Sequence, residues 1–389
     1  MVRTPHSTDL PRRALRERLI DLEVPSEDIA RGRALRKTVP RRALAQLTAS
    51  PRTATEILVA QNVDRLSELV PLRFARMLTD PFSFYRGSAA VMAADLAASP
   101  SSGIEIMCCG DAHVSNFGMY AAPHRSLVFD LNDFDEAAVA PAEWDVKRLV
   151  TSAIVGGRHA GYRPKAIRRA VERALAGYHT SLHAMLDMDV LDRYYLRVEP
   201  ERYAETISGG LLGVIQQTIC RARTRTSTRV FKRIMEAGPD GTLRLREMPP
   251  VLQHVGVDVE TQLIESFQEY LAGVSADVAL LLSHFCVTDI ALRVVGVGSV
   301  GTRCYLIILV GPDGTPLILL TACAVLLVRA HSQSANASIL RGYVGTNDTV
   351  HDAIVEWSYA YADKSLDDFY QLRAAAKAGD IEVADDAAR

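Results

Sequence analysis

Lysine is scarce in this sequence: only six of its 44 basic residues are lysines, namely Lys37, Lys147, Lys165, Lys232, Lys364 and Lys377. Chemistry that needs a compact ammonium group therefore has few places to find one. The six cysteines include no CxxC pair, and only Cys108 and Cys109 are adjacent. That pattern excludes a zinc ribbon and a disulfide framework, and a chain of 389 residues can bury a core without either. Such cysteines read as small buried hydrophobes, so a reducing, cytoplasmic compartment is expected. Charge of one sign is not in excess, with 44 basic against 46 acidic side chains, and composition gives no argument for nucleic acid. The N-terminal arginines are not followed by an apolar h-region, so no secretory leader is expected. Long apolar runs are missing too. Gly311–Pro316 splits Cys304–Val328 into apolar pieces of seven and twelve residues, whereas a membrane-spanning helix needs roughly 20. No membrane partner is expected.

What is present concentrates between Ile104 and Leu149. Two short apolar runs, Ile104–Cys109 and Ser126–Leu131, each end in a polar and acidic cluster. Runs of this length between turn signals predict buried strands. The first delivers Asp111, His113 and Asn116; the second delivers Asp130, Asn132, Asp133, Asp135 and Glu136. Adjacent strands ending in acids bring carboxylates together, which costs Coulomb energy unless a cation or a shared proton compensates. A metal or proton-transfer site is expected there. An ionised Asp at a strand end can take a proton from a hydroxyl, while an amide oxygen and a second carboxylate suit magnesium. Phosphoryl transfer asks little more of a protein.

The length corresponds to roughly two to three domains, or to one large domain with additions. Residues 1–50 form a basic, helix-prone segment. A helical lobe is expected over 51–280, with the hairpin of 104–149 inside it. Its helical stretches are Glu56–Met77, Ser88–Ala98, Lys147–Val155, Pro164–Met188, Glu201–Ile219 and Thr261–Leu271. Phe82–Gly87 reads as an aromatic loop whose Arg86 can clamp a phosphate. His179 and His183 stand four apart but lack the glutamate and third ligand of a zinc site, so they read as a helix face. Over 281–322 the composition turns strand-like, predicting two or three antiparallel strands around a glycine loop. Helices close the chain over 323–389, at Ala324–Ala330 and Thr349–Ala378.

Gly110–Asn116 resembles the catalytic loop G-D-x-H-x-x-N of aminoglycoside phosphotransferase-like kinases, and Asp133–Ala137 resembles their metal-binding segment. More closely, the chain resembles a large bacterial family of unknown function grouped with the protein-kinase-like superfamily. The shared motifs are F-Y-R-G at Phe84–Gly87, G-D-A-H-x-x-N-F-G at Gly110–Gly118, D-L-N-D-F-D-E at Asp130–Glu136, E-W-D-x-K-R-L at Glu143–Leu149 and V-G-V-G-S-V-G-T-R at Val295–Arg303. The resemblance implies an α+β, protein-kinase-like fold, mostly helical with a small antiparallel sheet. It implies a catalytic loop with Asp111 as base and His113 and Asp145 as braces. Asn116 and either Asp133 or Asp130, or both, would be the metal ligands. Gly296, Gly298, Ser299 and Gly301 would form the loop over the phosphates, with Mg2+ and ATP as cofactors.

Two departures stand out. The glycine loop follows the catalytic loop, where kinases have it first, so the lobes are permuted along the chain. The segment carrying the family's lysine-glutamate pair is missing between Leu320 and Thr321, leaving Lys147, Arg303 or Arg86 to substitute. The expected function is an ATP- and magnesium-dependent phosphotransferase on a small-molecule acceptor, impaired to the extent that the missing lysine is not replaced. The alternatives are an inactive kinase-like module binding nucleotide or a partner, and a metal-dependent phosphohydrolase.

Overall fold

The computed structural model describes residues 25–122, 126–131, 133–206, 210–238, 243–294, 296–320 and 336–385. The expected helix Ala324–Ala330 and the first half of the basic segment lie outside these residues. The fold is α+β, 59% helical with small antiparallel sheets. Among the described residues, no helix is long and apolar enough to cross a membrane.

Helices begin where the sequence supplies caps. Ahead of Ala54–Gln61, Thr53 Oγ1 accepts from the Glu56 N–H at 3.2 Å, while the Glu56 carboxylate accepts from the Thr53 N–H at 2.7 Å. Glu56–Met77 is not one helical stretch. It is two helices, Ala54–Gln61 and Val70–Met77, because Pro71 opens a new helix and cannot continue an old one. Phe82–Gly87 is not a loop either. Asp80 Oδ1 accepts from the N–H groups of Phe82 and Ser83 at 2.8 and 2.9 Å, and Pro81 takes the first helical position. The result is the helix Pro81–Gly87, with Arg86 in its last turn. Of the expected stretch Glu201–Ile219, the described residues are helical over Pro200–Thr206 and Gly210–Arg223.

Three long helices make the main core: Glu143–His159, Pro164–Leu186 and Thr349–Ala378. Val146, Val150 and Ile154 recur every four residues on the first, as do Ile167, Val171 and Leu175 on the second. Each set lines one face, and the two pack with Ile354, Trp357 and Tyr361 of the third.

Lys147 is buried in this core at 1% exposure, its Nζ 4.5 Å from the centre of the Trp357 ring. Burial pushes its pKa down from 10.5 to about 8, with Glu143 acting in the other direction. The unfolded chain holds this proton to higher pH than the folded one. Folding stability contributed by this group is therefore lowest below pH 8 and rises towards 10.5. Against a Lys147→Met variant, wild type should gain at most about 3 kcal/mol across that window. Urea titrations below and above it measure the gain; a constant gap would contradict it.

Strand pairing departs from the expectation of adjacent acid-ending strands. β1 (Glu105–Cys108) pairs with β4 (Ala138–Pro141), and β2 (Phe117–Ala121) pairs with β3 (Leu127–Leu131), both antiparallel. β1 and β3 are thus not hydrogen-bonded neighbours. β4 is short and lacks apolar alternation, so nothing in its sequence marked it as the partner. β5 (Met235–Ala237) pairs with β6 (Leu243–Leu245). The larger sheet has four strands in the order β10-β9-β8-β7. β8 (Cys286–Arg293), β9 (Tyr305–Val310) and β10 (Pro316–Leu320) were expected. β7 (Leu252–His254) is the addition, drawn from the stretch read as helical.

Candidate active site

The site is built on the turn after β1. Gly110 takes φ +79°, a left-handed conformation open to glycine, and a methyl group there would lie 2.0 Å from the Glu136 carbonyl oxygen. Asp145, in the first turn of Glu143–His159, accepts from the N–H groups of Cys109 at 2.7 Å and Gly110 at 3.0 Å. Further on, the Val114 N–H donates to Ser152 Oγ at 3.0 Å, and Asn116 Nδ2 donates to the Asp111 carbonyl at 2.8 Å. The loop is strapped to one helix, and Asp145 braces it as the resemblance implied.

Arg148 is the residue that sequence reasoning missed. It lies three positions after Asp145 on the same helix, so the face that holds the loop backbone also presents a guanidinium to it. Arg148 Nε donates to Asp111 Oδ1 at 2.8 Å, and its Nη2 donates to the Tyr85 carbonyl at 2.7 Å. The guanidinium also stacks 4.0 Å from the Tyr85 ring centre, and the Tyr85 hydroxyl donates to the Arg148 carbonyl at 2.9 Å. Burial, the largest influence, lowers the Arg148 pKa, but Asp111, Tyr85 and Tyr361 together outweigh it and hold the group above its ordinary value. The signal was the arginine of E-W-D-x-K-R-L, hidden beside a lysine that turns out to face the core.

His113 is 2% exposed and stands 3.6 Å from Asp111 Oδ2 through Nε2. Its Nδ1 has no hydrogen-bond partner. Burial pushes its pKa down to about 4 against the pull of Asp111. At neutral pH it is an uncharged wedge behind the aspartate.

The second acid cluster reaches the first. Asp133 is pushed up to about 6, by desolvation first, then by Asp135, and by Asp111 and Glu136 as well. Glu136 is also raised, by desolvation and then by Asp111. Asp130 sits differently: it precedes Leu131 on β3, and Leu131 packs against Cys109, Ala112 and Phe134. Strand alternation sends Asp130 to the opposite face. Asn132 lies outside the described residues. Among the described residues, no three His, Cys, Asp or Glu side chains could hold a metal ion between them. A cation here would draw on an amide, one or two carboxylates, and water or phosphate oxygens, which is the habit of magnesium and not of zinc.

The glycine-rich segment joins β8 to β9 and rests on this helical layer. Val297 packs with Phe74, Met77 and Phe84, while Val300 packs with Leu69 and Leu72. Arg76 Nη1 donates to the Gly296 carbonyl at 2.8 Å and Arg65 Nη1 to the Val300 carbonyl at 2.6 Å. A methyl group on Gly298 would lie 3.4 Å from the Arg86 carbonyl oxygen. The loop therefore sits at the end of the Arg86 helix, and Arg86 is near enough to act on His113. The Ser299 carbonyl accepts from the Thr302 N–H at 3.1 Å. Of the other candidate cations, Arg303 donates to the Asp64 carbonyl at 3.3 Å, and Lys147 is committed to the core. His179 and His183 form no zinc site: each places Nε2 on the Gly345 carbonyl, at 2.6 and 3.1 Å.

A family model described as "Uncharacterized protein conserved in bacteria (DUF2252)" matches residues 65–322 and 319–375. The chain belongs to this family. All five shared motifs of this DUF2252 chain fall inside the matched residues, which meet end to end at 319–322. No curated protein and no solved structure was found to match it.

Proposed function

We propose that this DUF2252 chain is a kinase-like phosphotransferase that takes ATP with magnesium and acts on a small-molecule acceptor. In this reading its lobes run in permuted order, and the strand segment that the resemblance implies after Leu320 is absent. One observation carries the reading: the charge of Asp111, in the loop after β1, reaches Asp133, in the loop after β3. Arg148 already answers Asp111, and a second, partly desolvated carboxylate beside that pair is unfavourable until a cation answers it as well. The docking of the glycine-rich hairpin beside Arg86 supports it further, because the element that would cover phosphates lies next to the catalytic loop despite its late place in the chain.

In this reading Asp111 accepts the proton of the acceptor hydroxyl. Arg148 fixes that carboxylate in direction through the bond from Nε to Oδ1, and Asp145 holds the backbone on which it stands. Asp133 with the Asn116 amide would hold magnesium, which would supply positive charge to offset that of a phosphate group. Gly296, Gly298, Ser299 and Gly301 cover the phosphates.

A second reading, nucleotide binding without transfer, is favoured by the same ion pair: Asp111 Oδ1, an oxygen that would take the proton, already accepts from a buried guanidinium. Radiolabelled ATP offered with magnesium and a panel of hydroxyl-bearing metabolites separates the two. Wild type should transfer label, and Asp111→Asn should lose about 100-fold or more in rate while keeping its nucleotide affinity. Binding with no transfer by wild type selects the second reading, and absence of both overturns the two together.

A further inference from the structure

The missing lysine leaves the polyphosphate without its usual cation, and the two lysines with buried surroundings are engaged elsewhere. Lys147 lies against Trp357, and Lys364 sits between Asp95 at 2.9 Å and Asp368 at 2.7 Å. Arginines gather instead around the glycine-rich loop. Arg73 is fully buried, yet its acceptors are all neutral: the side-chain oxygens of Asn62 and Gln61, and the carbonyls of Gly87 at 3.3 Å and Leu58 at 3.5 Å. Burial, then the neighbouring charge of Arg65, pushes Arg73 down to about 9. Among the described residues, the Nε atoms of Arg65, Arg73 and Arg86 are all buried with no hydrogen-bond partner. The carboxylate that acts on both Arg65 and Arg73 is Glu136, the residue whose backbone closes over Gly110. Buried cations are costly without a counter-charge. So much uncompensated positive charge beside one loop calls for an anion.

We propose that Arg65 and Arg86 flank the glycine-rich loop as a two-guanidinium clamp for the nucleotide's polyphosphate, with Glu136 as the counter-ion that the polyphosphate displaces. Planar guanidinium forks match phosphate oxygens and stay charged when half-buried. Arg73, with no exposed surface, is a positioning residue: it holds the Gly87 carbonyl at the end of the helix that carries Arg86. The clamp rests on the nucleotide reading for its biological ligand, but not for its chemistry.

The test uses inorganic tripolyphosphate in EDTA, titrated calorimetrically into the full chain. Wild type should bind, and Arg65→Gln and Arg86→Gln should each weaken binding by about tenfold or more, the loss of a charge-assisted contact. Glu136→Gln should tighten binding a few-fold, and Arg303→Gln, outside the clamp, should leave it unchanged. Arg86→Gln should melt with wild type, since its Nε serves no partner, and Arg65→Lys keeps a charge if Arg65→Gln fails to fold. Failure of wild type to bind, or unchanged affinity in either arginine variant, overturns the clamp; unchanged or weaker binding by Glu136→Gln overturns the counter-ion role. Because the probe is metal-free, tripolyphosphate binding without Mg–ATP binding would leave the clamp and remove the nucleotide reading. Equal Mg–ATP binding by wild type and the arginine variants would do the reverse.

Discussion

Arg148→Met should melt roughly 5–10 °C below wild type, the cost of about 3–5 kcal/mol expected when one partner of a buried ion pair is removed. The guanidinium is 2% exposed and the Asp111 carboxylate 15%. Methionine fills much of the volume but supplies no donor. It leaves Asp111 charged against an apolar wall, and it leaves the Tyr85 carbonyl without the N–H that now meets it at 2.7 Å. Removing the charge as well should repair much of the damage: Asp111→Asn in the Arg148→Met background is expected to regain more than half of the lost stability. The same Asp111→Asn change in wild type should destabilise, since it strands the arginine. A double-mutant cycle read by calorimetric melting measures all four corners. Additive effects would show that the two groups merely stand near each other.

Gly110→Ala is the second large effect. Its cost has two sources that a control can separate. Alanine at φ +79° costs about 1 kcal/mol for conformation alone. The larger part is collision, because the new methyl would sit 2.0 Å from the Glu136 carbonyl oxygen and 2.7 Å from its carbon. Both are backbone atoms and cannot swing aside. The turn must open, pulling Gly110 from Asp145 and Glu136 from its place over the site. A total of about 3–4 kcal/mol is expected, with loss of ligand binding. Gly103→Ala is the control: Gly103 has φ +68°, yet a methyl there meets nothing within 4 Å. It should cost only the conformational part. Equal destabilisation by the two changes would mean that the contact with Glu136 is unimportant.

These effects depend on contacts of different legibility in the sequence. The helices Pro164–Leu186 and Thr349–Ala378 could be read almost to the residue, because apolar side chains at four-residue spacing leave one sensible face to bury. β1, β3 and β9 were visible as short apolar runs between turn signals. Pairing was not: β4 is four residues with an exposed–exposed–buried pattern, and its register with β1 is set by tertiary contact. The site shows the same division. Asp111, Asn116 and Asp133 stand out as clustered polar residues at strand ends, and Asp145 as the helix-start acid that follows. Arg65 carries no local mark, Glu136 shows only as one more acid of its cluster and Arg148 only as one letter of a motif, since their meaning lies in Coulomb interactions between residues far apart in the chain. Phe82–Gly87 was misread because three aromatics drew attention away from the Asp80-Pro81 cap that makes a helix.

One titration tests the shared cation site most directly: a non-hydrolysable ATP analogue added to wild type and to Asp133→Ala, each with and without magnesium. If Asp133, with the Asn116 amide, holds a cation that carries nucleotide while Asp111 serves as the base, wild type binds only with magnesium, Asp111→Asn stays close to wild type, and Asp133→Ala shows no magnesium-dependent binding. Wild-type binding indifferent to magnesium, or Asp133→Ala binding as wild type does, would contradict it.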